Sequence, residues 1–287
     1  VGKEFAMSQE IRITVLVENT AQGADILAEH GLAYWIEWDG HKVLFDTGQG
    51  NVLANNAYRL NIPLHEATAI VLSHGHYDHT GGLPEALKTN RLATVYVHPA
   101  AFADKFARNR NGPSRRIGLA DATQAILRSL HGRLIHTDRS TPVAERLTVT
   151  GQVPRLTDFE DTGGPFFLDE ACTKPDPLAD DQSVFLDTTE GTVVLLGCAH
   201  SGVINTLRYI RQLTAERPIR AVIGGMHLVA ASPERIARTV EELRQLGVRQ
   251  LAPGHCTGMP ATVALWTAFP TICTTCHSGS TFHFEIT

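Results

Sequence analysis

Short apolar, β-branched runs bounded by turn residues recur early in the chain, at residues 11–17, 32–38, 43–45 and 69–72, and predict strands there. Asp39-Gly40 before His41-Lys42 is a tight-turn signal, so residues 34–38 and 42–45 are expected to pair antiparallel. Helical spacing of apolar positions follows at residues 51–60, 83–88, 100–108, 120–130, 203–213, 233–246 and 261–269. Further strands are predicted at 147–150, 183–186, 193–196, 221–223, 250–251 and 282–286, whereas 109–117 and 157–177 carry neither pattern. No repeat, low-complexity tract or linker divides the chain. Strands and helices alternate irregularly in both halves, which favours an α/β fold of two sheets packed face to face with helices outside. The expected architecture is one four-layer αββα domain over residues 7–287, with residues 1–6 read as a vector-derived remnant ahead of a natural start at Met7.

Composition adds limits more than identity. The 287 residues are 43% hydrophobic and 19% charged with 24 Gly and 14 Pro, which suits a loop-rich α/β enzyme and excludes a coiled coil or a disordered chain. A net charge of -5 gives no general field for gathering nucleic acid or an anionic membrane, so no partner of either kind is expected. The cysteines (Cys172, Cys198, Cys256, Cys273 and Cys276) are an odd, scattered set. They read as reduced thiols in a cytoplasmic protein, including the Cys273–Cys276 pair, which lacks a second CxxC. No apolar stretch approaches the roughly 20 residues of a membrane span.

The most informative run is Ser73-His74-Gly75-His76-Tyr77-Asp78-His79-Thr80-Gly81-Gly82. It places three imidazoles and a carboxylate on the loop between a predicted buried strand and a glycine-opened helix. Neutral imidazole and carboxylate donors bind Zn²⁺, Mn²⁺ or Fe at about 2.0–2.2 Å, and a turn can aim neighbouring side chains at two ions. His74 and His76 are expected to serve one ion, Asp78 and His79 the other.

This run resembles the HxHxDH signature of the metallo-β-lactamase superfamily. Asp46-Thr47-Gly48 is similar to that superfamily's strand-end Asp-x-Gly, and Pro253-Gly254-His255 to its last metal-ligand motif. The resemblance implies a dinuclear metal hydrolase in which Asp46 orients a ligand from behind and His255 completes the second metal. Where the superfamily commonly has a bridging Asp after Gly, this chain has Gly197-Cys198-Ala199-His200. His200 is the preferred further ligand, Cys198 a second choice, and Asp181 a weaker one. Gly197–Asn205, Ile223–Leu228 and Pro253–Gly258 together resemble the branch named after the dihydropterin-linked ribofuranosylaminobenzene phosphate synthases of methanopterin biosynthesis.

Two adjacent cations imply a hydroxide nucleophile acting on a small, anionic or phosphorylated ester, lactone or phosphoester, with Asp78 and His227 as catalytic groups. Zn²⁺ is the foremost metal, with Mn²⁺ and Fe as alternatives. His227 is also a candidate substrate contact. Lys105, Arg108, Arg110, Arg115 and Arg116 surround an Asn-Gly-Pro turn and read as a basic flap, from which Arg115 and Arg116 are drawn as substrate contacts. A low-turnover sensor and a non-haem iron redox enzyme are the competing readings.

Overall fold

The computed structural model describes residues 10–109 and 112–286; Arg110 and the leader expected before Met7 lie outside them. Strands β1 (Glu10–Val17), β2 (Ala33–Trp38), β3 (His41–Phe45), β4 (Ala69–Val71) and β5 (Thr94–Val97) come first, interspersed with helices α1 (Leu53–Arg59), α2 (Tyr77–Thr80) and α3 (Leu83–Thr89). Strands β6 (Phe106–Ala107) and β7 (Arg115–Arg116) precede α4 (Asp121–Ser129), which leads to β8 (Leu134–His136), β9 (Thr141–Ala144) and β10 (Leu147–Val149). The remainder forms β11 (Phe166–Phe167), β12 (Val184–Thr188), β13 (Gly191–Leu196), α5 (Val203–Leu213), β14 (Ile219–Gly225), α6 (Pro233–Gln245), β15 (Leu251–Gly254), α7 (Met259–Ala268) and β16 (Thr281–Glu285).

A seven-stranded sheet runs β16-β1-β2-β3-β4-β5-β8, and a six-stranded sheet runs β15-β14-β13-β12-β10-β9. Alternation along each strand explains the layering. Ile11, Ile13, Tyr34, Ile36, Val43 and Phe45 of the first sheet meet Leu147, Val184, Leu186, Val193 and Leu195 of the second in one buried cluster. The opposite faces are covered separately: Trp35, Leu44 and Ile70 pack with Leu53, Leu83 and Leu127 of the first helix layer. Val194, Leu196 and Val222 pack with Ile204, Leu207, Leu243 and Leu265 of the second. The result is the four-layer αββα arrangement expected from the order of elements. The β2–β3 hairpin also forms as expected, with positive φ at both Asp39 and Gly40 matching a type I′ turn.

Three segments differ from expectation. Residues 100–108 are not a helix. A single 3₁₀ turn at Pro99–Phe102 is capped by His98 Nδ1 accepting Ala100 N–H, and the chain then runs extended into β6. The Lys105 carbonyl accepts the N–H groups of Ile117 and Gly118, so tertiary pairing overrides the local helical spacing. Residues 112–117 and 157–177 are more ordered than their composition suggests, because β7 and β11 flank β6 in a small third sheet. Strands β5, β8 and β9 carry no expected counterpart; β8 and β9 are the polar edges of their sheets, where the alternation is weakest.

The parallel pairings position the site. β3, β4 and β5 are parallel in one sheet, as are β13, β14 and β15 in the other. Asp46, the His74–His79 run, Cys198–His200, His227 and His255 all follow the carboxyl ends of these strands.

Candidate metal centre

Ser73 joins β4 to the histidine run and is tied to the end of β3: its N–H donates to Asp46 Oδ1 at 2.7 Å. The other carboxylate oxygen of Asp46 lies 2.7 Å from His79 Nδ1. Both groups are fully buried, so the carboxylate fixes the ring with Nε2 facing inward. The same device recurs. His74 Nδ1 is 2.9 Å from Ser73 Oγ, His200 Nδ1 donates to the Thr162 carbonyl at 2.8 Å, and His255 Nδ1 is 2.9 Å from Asn19 Oδ1. Each of the four imidazoles thus has one nitrogen anchored by the protein and the other free.

The free nitrogens converge. His74 Nε2 is 2.8 Å from His76 Nδ1, His79 Nε2 is 3.2 Å from His255 Nε2, and Cys198 Sγ is 3.2 Å from His79 Nε2. Donors about 2.0–2.2 Å from one ion at tetrahedral or octahedral angles stand roughly 3.0–3.5 Å from each other, so these spacings suit shared cations. Donor atoms lie within 4.8 Å of one another in the sets His74, His76, His200 and His74, His79, Cys198, and again in His30, Asp78, His255. Among the described residues, His200 Nε2 and His227 Nδ1 are buried without a hydrogen-bond partner, which is the state of a nitrogen that awaits a ligand or a metal. The donor set therefore fits divalent cations.

Electrostatics agree with metal-ready imidazoles. Burial, reinforced by neighbouring rings, holds His74 and His200 well below the usual histidine range, and burial pushes His76 down to about 3. His79 is the exception: burial opposes its charge, but the carboxylates of Asp46 and Asp78 outweigh that and raise it. For Asp78 burial works against ionisation, yet the charge of His79 and hydrogen bonds from His255 and His30 keep it well below the carboxylate range.

The structure brings His74, His76, Asp78, His79, Cys198, His200 and His255 to one centre, with Asp46 behind it. Asp181 stands apart. Its Oδ2 accepts Ser201 N–H at 2.8 Å, supporting the loop that carries His200, and burial raises its carboxyl to about 6. His227 reaches the site from the end of β14, its ring 4.1 Å from that of His200. Gly163 makes this possible, because a Cβ there would lie 1.8 Å from His227 Cδ2. A cavity of about 90 Å³ opens onto the centre, lined by His30, Asp78, Arg115, Phe166, His200, His227 and His255 among others.

Among the described residues, the basic side chains expected to form a flap do not gather at the cavity. Arg115 lines the cavity, its Nη1 3.3 Å from Tyr77 Oη. Arg116 is drawn away into pairs with Asp104 and Asp121, at 3.2 and 2.7 Å, and does not line the cavity. Arg108 donates to the Cys172 carbonyl at 2.7 Å and lies over Phe167. Lys105 is 1% exposed and pairs with Asp176 and Asp180, each at 2.8 Å. Asp180 in turn accepts Gly75 N–H at 2.7 Å, so this triad braces the loop between His74 and His76.

Sequence reasoning missed Glu18, Asn19, His30 and Phe166. Glu18 accepts His255 N–H, and Asn19 orients its ring. The one signal for Glu18 and Asn19 was position: polar residues leaving β1 at the edge where β3 and β4 also end.

Residues 27–255 match the model of the metallo-beta-lactamase superfamily. The chain belongs to this superfamily. Across 264 residues this superfamily member is 29% identical to the 7,8-dihydropterin-6-methyl-4-(β-D-ribofuranosyl)-aminobenzene-5'-phosphate synthase of Methanocaldococcus jannaschii, covering 88% of this chain and 89% of that one. It is 32% identical over 255 residues to an uncharacterized protein of the same organism, covering 88% and 93%. The crystal structure of Tm1679, a metal-dependent hydrolase of the β-lactamase superfamily, matches with a TM-score of 0.79 at 28% identity over 96% of this chain and 99% of that one. The metallo-β-lactamase fold thus spans both sheets and all the loops that carry the centre. No helix among the described residues is long and apolar enough to cross a membrane.

Proposed function

We propose that residues 7–287 act as one metal-dependent hydrolase with two divalent ions, Zn²⁺ foremost, working on a small anionic or phosphorylated molecule. The observation that carries this reading is the set of anchored imidazoles whose free nitrogens converge from both sheets. His74, His76 and His200 would hold one ion; Asp78, His79 and His255 the other, with Cys198 between them. Bound there, divalent ions would supply Lewis acidity and bring the pKa of water toward neutrality.

The chain's own groups account for the rest. Asp46, Asn19 and the Thr162 carbonyl hold His79, His255 and His200 in the orientation and tautomer that leave Nε2 free. Asp78, kept ionised, would hold an ion and accept a hydrogen bond from the attacking group. His227 Nδ1, buried and unpartnered, meets the substrate or the leaving group, and Arg115 places positive charge at the cavity wall. Phe166, with ring centroids 5.2–5.3 Å from those of His200 and His76, shields the centre from water. Five free thiols suit a reducing cytoplasm, where we place the protein.

A synthase acting on a phosphorylated pterin precursor is the second reading, favoured by the 29% identical relative of that name. Metal analysis with turnover of phosphodiester, lactone, thioester and pterin-phosphate substrates tests both. We expect two equivalents of divalent metal, and expect Asp78→Ala to lose at least about 10³-fold in turnover and one equivalent of metal while unfolding cooperatively. Full turnover by that variant refutes the assigned chemistry, and iron with oxygen consumption redirects it to redox.

A further inference from the structure

His30 has no role in the ligand set above, yet the fold brings it there deliberately. Its Nε2 lies 3.1 Å from Asp78 Oδ2, and that same oxygen is 3.5 Å from His255 Nε2 and 3.8 Å from His79 Nε2. The His30 ring stacks on the His255 ring, with centroids 5.1 Å apart and planes 28° from parallel. Donor atoms of His30, Asp78 and His255 fall within 4.8 Å of one another, and all three side chains line the cavity.

The backbone around His30 is fixed by the site itself. Leu32 N–H donates to the Asp78 carbonyl at 3.3 Å, and Gly31 N–H to Asn19 Oδ1 at 3.2 Å, the same atom that orients His255. Gly31 must be glycine for this approach, because a Cβ there would sit 2.6 Å from the Asp78 carbonyl oxygen. His30 is therefore held over Asp78 and His255 by the two residues that follow it, although 53% of its own side chain is exposed.

We propose that His30 is a protein ligand of the divalent ion on the Asp78, His79 and His255 side of the centre. The proposal rests on the two-ion reading. Imidazole and carboxylate donors about 2.0–2.2 Å from a common ion stand roughly 3.0–3.5 Å apart, and both the His30–Asp78 and the Asp78–His255 separations meet that requirement. The position is at the solvent side of the cavity, so this ligand faces the route by which a substrate enters.

The test is Zn²⁺ titration of the chelator-stripped full chain against a chromophoric competitor, for the unaltered protein, His30→Ala and His30→Gln. Gln keeps an N–H that can donate to Asp78 but lacks the imidazole lone pair. We expect the second equivalent to bind at least about 10-fold more weakly in both variants, with the first equivalent and the metal-free melting temperature unchanged. If His30→Gln takes up the second ion as tightly as the unaltered chain, His30 only orients Asp78 and the proposal is overturned. An unaltered chain that binds no more than one equivalent overturns the two-ion reading, and the His30 assignment with it.

Discussion

Four non-glycine residues at the centre hold left-handed backbone: Asp46 at φ 60°, Ala199 at 54°, His227 at 43° and His255 at 51°. Such conformations cost about 1–3 kcal/mol each and persist where surroundings over-determine them. Here the surroundings are visible. Asp46 is clamped between Ser73 N–H and His79 Nδ1, and His255 between Glu18 and Asn19. Removing one clamp should loosen the metal rather than the fold. Asp46→Ala is expected to weaken binding by about 10–100-fold in a competition assay, because His79 loses the partner that sets its tautomer. The contrast between ligands and clamps also explains what could be read from sequence. His74, His76, Asp78 and His79 stand in one run, so their spacing announces them. Asn19 and His30 become part of the site only after β1 and β2 are laid beside β3, which no local spacing records.

At the scale of elements, two devices tie the loops over the site to the scaffold. Helix α5, which follows the His200 loop, is not capped by its own residues. Glu160, from the loop that also supplies β11, accepts the N–H groups of Ile204 and Asn205, each at 2.9 Å. Gly202 leaves the room, since a Cβ there would lie 2.3 Å from Glu160 Oε2, and its φ of 98° suits glycine alone. Gly202→Ala is expected to lower stability by more than about 1 kcal/mol in urea unfolding. The second device is the buried Lys105 triad. Burial opposes its charges, but mutual attraction raises Lys105 and lowers Asp180 relative to their ordinary values. The sign follows: Asp180's contribution is present above its unfolded pKa of about 3.9 and fades as pH falls through its lower folded value. Lys105→Met leaves two buried carboxylates unpaired and is expected to cost about 3–5 kcal/mol at pH 7. Without the cation those carboxyls favour protonation, so the deficit should shrink as pH is lowered toward about 4.5, measured on metal-free protein. Most long elements were legible because both sheets bury both faces or alternate cleanly. Residues 100–108 were misread because Lys105 looks like a surface helix residue and is in fact a core ion pair.

Across the whole molecule, each sheet packs against the other sheet and its own helix layer, and both sheets supply candidate donors. The His74–His79 run follows β4 in one sheet, whereas Cys198, His200 and His255 follow β13 and β15 in the other. On the proposed ligand set, ions gripped this way would bind the native chain in preference to the unfolded one. Stability should therefore rise with free metal: at about 100 times the dissociation constant the gain is roughly 2.7 kcal/mol, read as a higher melting temperature that a chelator reverses. An unchanged melting curve with and without chelator would deny the centre this role. The pairing of Asn19 with His255 spans 236 residues. On the proposed ligand set, a growing polypeptide that has delivered its first histidines still lacks the donors and the brace that make the grip tight. Uptake of metal is then an event of completed synthesis, and a loaded molecule certifies that its two halves have met.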